Sequence, residues 1–196
     1  MLKTQLDRVH MLVGRIATEF SEIETLWYLI FTCLLNTATR QVADAIFNQF
    51  KTGAQQRQMI IDVAAAALAP DLPLLISIKT LCEQTKTLAG RRNAAVHSII
   101  DIVDAAIPPY IGAGGSSKPS KIKPGQVETE VVEIYKTVKL HLLDMHELRL
   151  QAIRHAIPTM NISRDEQRLA RAQLAVPESL LSDPVVRGLL HGSAEN

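Results

Sequence analysis

Leu2, Leu6, Val9, Val13, Ile16, Phe20, Ile23, Trp27, Ile30 and Leu34 recur at alternating steps of four and three. A seam kept over more than four heptads predicts one long helix packed at a shallow angle on its partners. Trp27, Tyr28, Phe31 and Leu35 widen the stripe near its end. Either the core thickens there or a second chain docks there.

The same period runs through most of the chain. A second helical region is expected from about Thr39 to Leu68. Val42, Ala45, Ile46, Gln49 and Phe50 form the stripe of its first half, and Ile60, Ile61, Ala64, Ala67 and Leu68 that of its second. The polar run Lys51 to Gln58 holds Gly53 and predicts a bend or short break between them. Pro70 to Pro73 mark a turn and restart. A third helix follows from near Leu74 to about Asp101, striped by Leu74, Ile78, Leu81, Cys82, Leu88, Val96 and Ile99. A fourth spans Val127 to about Ala156, with Val131, Ile134, Tyr135, Val138, Leu142, Met145 and Leu148 as its seam. Ser163-Arg-Asp-Glu166 is a capping box that predicts a short fifth helix to about Ala175, and Pro177 opens a last fragment through Leu190. No segment reads as a strand. The fold class is all-α: four long helices in a bundle over residues 1–156, with a short helical extension over 157–196.

Composition narrows the function. With Lys+Arg 21 against Asp+Glu 20, the chain has a formal net charge of +1, which excludes a strongly basic nucleic-acid-binding domain but not a local basic patch. The Pro-, Gly- and Ser-rich segment 108–126 is a loop by composition and carries Lys118, Lys121 and Lys123 without an acid. It reads as a solvated linker or as a flap that attracts RNA phosphates. The longest apolar run, Leu26 to Leu35, is too short to span a bilayer. The polar start lacks the apolar core of a signal peptide. Cys33 and Cys82 lie in separate helical patterns and read as buried thiols of a reducing cytoplasm.

Arg91-Arg92-Asn93-Ala94-Ala95-Val96-His97 stands apart from this background. Among twelve Arg and six His, about one match to Arg-x4–6-His is expected by chance. Requiring Asn directly after the Arg lowers the expected number to roughly 0.01. Arg92 falls in the middle of its helix's apolar stripe, where a guanidinium must meet an acid, a phosphate or a cleft. Asn93 and His97 are four apart and share a face at the edge of that stripe, near Gly90 and Glu83.

An all-α bundle whose third long helix carries Arg-Asn-x3-His resembles the HEPN (higher eukaryotes and prokaryotes nucleotide-binding) superfamily, whose motif is Arg-x4–6-His with a polar residue after the Arg. The run Ser21-Glu22-Ile23-Glu24-Thr25-Leu26-Trp27 is similar to the first helix of bacterial members. The resemblance covers roughly residues 1–156. It implies a metal-independent endoribonuclease of a defence or stress system, with a site assembled from both subunits of a homodimer and a 2′,3′-cyclic phosphate left on the product. Arg92, Asn93 and His97 are the catalytic positions that carry over. An imidazole suits proton transfer to and from ribose oxygens at neutral pH. A guanidinium suits the scissile phosphate, and Asn93 would orient the imidazole or donate to a phosphate oxygen. The toxin branch paired with small nucleotidyltransferases often has Tyr two residues after the His; Ile99 stands here and points away from that branch. The expected partners are a second copy, RNA and an inhibitory protein. No cofactor, metal or membrane is expected.

Two other readings stay open. Many relatives are non-catalytic nucleotide- or RNA-binding or dimerisation modules, and Arg92 would serve a purely structural role if it paired with Glu22 or Glu24. His141, Asp144, His146 and Glu147 include metal-ligand types, but His residues five apart diverge on a helix, unlike an i, i+4 pair. Arg149 and His155 lack the Asn. Gly112 to Gly115 has no Gly-Lys-Ser/Thr and so is no phosphate loop.

Overall fold

The computed structural model describes residues 2–35, 39–69, 72–106, 126–157 and 176–191. Among them every regular element is a helix: α1 (Leu2–Leu35), α2 (Arg40–Phe47), α3 (Gly53–Ala67), α4 (Pro73–Ala106), α5 (Val127–Ala156), α6 (Glu178–Leu181) and α7 (Pro184–His191). The fold is all-α. None of these helices is long and apolar enough to cross a membrane.

The heptad seam builds α1 as one unbroken rod of about 50 Å. Val9, Val13, Ile16, Phe20, Ile23, Trp27 and Ile30 are all buried along it. The widened stripe thickens the chain's own core. Phe31 is fully buried, and Tyr28 packs edge-on against Phe47 of α2 at 5.2 Å while donating its hydroxyl proton to Asp44.

The second helical region divides at residues 48–52. Thr39 and Thr52 cap the two pieces, each accepting a backbone N–H three residues on, at 3.4 Å from Val42 and 3.3 Å from Gln55. Gly53 opens α3 rather than bending a continuous helix. The α2 stripe differs from the expected one: Val42, Ala45 and Ile46 face outward, while Ala43 is buried and Phe47 half-buried. Apolar residues lie on several sides of this eight-residue helix, and the aromatic contacts of Phe47 with Tyr28 and Phe31 choose the inward face. In α3, Ile60 and Ala64 pack inward as expected, as does Leu68 at its C-cap, whereas Ala67 is exposed.

Pro73 is the first residue of α4, where its fixed φ suits the first turn and its missing N–H costs nothing. The helix continues through Gly90 without a break. The expected seam of α5 is buried throughout.

Side-chain contacts fix the directions. Arg8 meets Glu128 at 3.3 Å, Glu19 meets Lys139, and Glu22 meets His146 at 3.1 Å, so α1 and α5 run parallel. Trp27 meets Thr85 and Phe20 meets Arg92, so α4 runs antiparallel to α1. Thr85 meets His141 and Arg91 meets Thr137, which makes α4 antiparallel to α5 as well. Helix α3 packs on α1 and α4.

The C-terminal fragment joins the same core through Leu180 and Val186. Lys139 is buried between the carboxylates of Glu19 and Asp183, the latter at 3.2 Å. Asp183 also accepts the Val185 N–H at 2.8 Å at the start of α7. The loop 108–126 lies outside the described residues apart from Gln126, and so does the fifth helix expected from Ser163.

Candidate functional site

Two polar groups sit on the core-facing side of α4, about two turns apart, and they are built differently. The first centres on Thr85, which is fully buried. Its hydroxyl oxygen accepts the Trp27 Nε1–H at 3.1 Å and lies 2.8 Å from the Leu81 carbonyl, which only a donor can satisfy. The single hydroxyl proton is therefore spent on Leu81. The remaining contact, 2.7 Å to His141 Nε2, requires the proton on the imidazole nitrogen. Burial, and then the nearby Arg57 guanidinium, push the His141 pKa down to about 4, so the ring is neutral at pH 7. Arg57 is itself buried, and its guanidinium lies so close to Gly53 that a Cβ there would stand 3.0 Å from Nη1.

The second group is Arg92. Its guanidinium lies 4.8 Å from the centre of the Phe20 ring on α1, a cation–π contact. Its Nε is shielded from solvent and has no hydrogen-bond partner. No acid among the described residues pairs with it. Glu22 is engaged with His146, and Glu24 lies beside Gly53 and near Arg57. The position deduced from the apolar stripe is thus correct, and the partner is an aromatic ring instead of a carboxylate.

Asn93 and His97 are exposed one turn apart on α4. His97 lies roughly 140° around the helix axis from Arg92. Within one chain the motif therefore brings Asn93 and His97 to a common face and leaves Arg92 directed toward α1. Lys118, Lys121 and Lys123 lie outside the described residues.

Of the metal-ligand types on α5, His141 turns to Thr85 and His146 to Glu22, on opposite sides of the helix's buried face. Among the described residues no three His, Cys, Asp or Glu side chains stand close enough to hold a metal ion. Burial pushes the Cys82 thiol up to about 12 and raises that of Cys33, so both stay protonated.

The Thr85–His141–Trp27 group escapes a reading of the motif alone. Its one sequence signal is a threonine in the apolar stripe of α4 between Cys82 and Leu88; its partners are 58 and 56 positions away. No family model, curated protein or solved structure matches the chain.

Proposed function

We propose that this protein is a metal-independent endoribonuclease of the HEPN type, cleaving RNA at a site completed by a second copy of the chain. The observation that supports the reading is Arg92: a half-buried guanidinium, stacked on Phe20, without an acid partner among the described residues and with a buried Nε left unbonded. A structural arginine at such a place would meet a carboxylate, since an uncompensated buried charge is costly. A guanidinium with spare donors suits a phosphate. Asn93 and His97, exposed on the neighbouring face, are placed to meet a substrate and move a proton.

The divergence of Arg92 and His97 around α4 favours one second reading, a helical module that binds nucleotide, RNA or protein without cleaving. In the catalytic reading two copies meet along this part of α4, so that Arg92 of one copy and His97 of the other serve one phosphate.

The test is incubation of a mixed-sequence RNA with the protein in EDTA, beside His97→Ala and Arg92→Ala, with product ends assayed for a 2′,3′-cyclic phosphate. The catalytic reading expects cleavage lost in both variants. Equal products from wild type and His97→Ala, with both folded, overturn it in favour of the module.

A further inference from the structure

Segment 176–191, which carries α6 and α7, plays no part in that reading. It is held to the other helices at few points. Leu180 and Val186 are buried in the common core, and Val176 and Val185 pack half-buried against it. Two fully seated side chains are little to set against the ordering of sixteen residues. The segment's backbone hydrogen bonds close on itself: the Leu180 N–H donates to the Pro177 carbonyl at 3.0 Å, Ser182 to Glu178 at 2.8 Å and Arg187 to Asp183 at 2.9 Å. Among the described residues its polar contact with the rest of the bundle is one ion pair, Asp183 to Lys139 of α5 at 3.2 Å.

Lys139 does not depend on that contact. It is buried and already paired with Glu19 of α1, which belongs to the other helices and stays when the segment leaves. With Glu19 and Asp183 both in place, two carboxylates share one ammonium and repel each other across it. One of them is enough to neutralise Lys139. When the segment lifts away, the Lys139–Glu19 pair remains, the Tyr135 ring stays 5.7 Å from Nζ, and Asp183 passes into water. No buried charge is stranded, so the usual penalty for breaking a buried ion pair falls away. A permanent clamp would be built the other way, with the segment supplying the sole counter-ion.

We propose that segment 176–191 is a releasable strap, which opens as a unit when Asp183 parts from Lys139 while α1, α4 and α5 stay packed. Opening uncovers the seam between α1 and α5 around Glu19 and Lys139, so the chain carries a built-in switch between a covered and an open seam. The second carboxylate sets the balance of the switch: Asp183 adds enough attraction to seat the strap, and Glu19 keeps the open state free of a stranded ammonium.

Hydrogen exchange of the full chain, read by mass spectrometry, tests this. In wild type the amides of 178–191 should exchange about tenfold or more faster than those of α5 from Val131 to Leu148. Asp183→Asn removes the ion pair but keeps a good N-cap for α7. It should raise exchange of 178–191 by about a further tenfold and leave α5 unchanged. Glu19→Gln should act the other way. Asp183 then becomes the sole counter-ion of Lys139, opening strands an ammonium, and exchange of 178–191 relative to α5 should fall roughly threefold or more. A segment that is merely packed loosens with either substitution. Unchanged or faster relative exchange in Glu19→Gln therefore overturns the proposal. So does exchange of 178–191 at the rate of α5 in wild type, which would make the segment part of the same cooperative unit.

Discussion

The two polar groups on the inner side of α4 sit on one helix, both meet α1 and are flanked by similar apolar residues. Around Thr85 every proton has an acceptor, with Trp27, His141 and the Leu81 carbonyl closed on one hydroxyl. Around Arg92, among the described residues, the charge meets the face of Phe20, and Nε has no hydrogen-bond partner. A closed network of buried polar groups stabilises one arrangement of helices. An open one costs stability and is kept for something outside the fold. The difference separates a structural polar core from a candidate site more clearly than residue type does, since histidine occurs in both: His141 at Thr85 and His97 beside Arg92.

The comparison is broken most severely at Thr85. Thr85→Val keeps the shape but strands the Trp27 and His141 donors, and should cost about 3 kcal/mol in urea denaturation. Acid should attack the same group next. The folded-state pKa of His141 is depressed to about 4, so the unfolded chain binds the extra proton first. The contribution is intact above the ordinary histidine value and is lost as pH falls from about 6.5 toward 4, on the order of 3 kcal/mol. Denaturation curves across that window should be flatter in His141→Gln than in wild type.

Glycines sharpen the contrast on a smaller scale. A Cβ at Gly90 meets nothing, so Gly90→Ala should stabilise α4 by about 0.5–1 kcal/mol. Gly53→Ala should destabilise, because its Cβ would press on the Arg57 guanidinium. The smallest change is expected at Arg92. Arg92→Met keeps the packing on Phe20 and removes the unbonded Nε, so stability should hold or rise by about 0.5 kcal/mol, while RNA cleavage should disappear. A loss as large as that of Thr85→Val would place Arg92 among the structural residues.

Long-period features were legible in the sequence. The α1 seam spans enough heptads to outvote any local exception, and the seam of α5 did the same. Short elements were not. In α2 the choice between the Val42–Ile46 side and the Ala43–Phe47 side is made by Tyr28 and Phe31, which belong to another helix. The same limit divides the site. That Arg92 turns inward followed from its place in the stripe. That it meets Phe20, and that Thr85 meets His141, depends on how three helices are offset along their axes, which no local pattern encodes. His141 drew notice only as a metal-ligand type, because its neutral, bonded state arises from burial and from Arg57, 84 positions earlier in the chain.

The parallel pairing of α1 with α5 has a consequence for how the molecule comes into being. Arg8 and Glu128 are 120 positions apart, and during synthesis that separation is a waiting time on the order of ten seconds. For that interval the longest apolar seam in the chain has been made and the helix that covers it has not. The nascent protein therefore offers Val9 through Phe20 to whatever is nearby, whether a chaperone, a neighbouring chain or its own α3 and α4. Its yield on overexpression should then depend on translation rate and chaperone supply more than the stability of the finished fold would suggest.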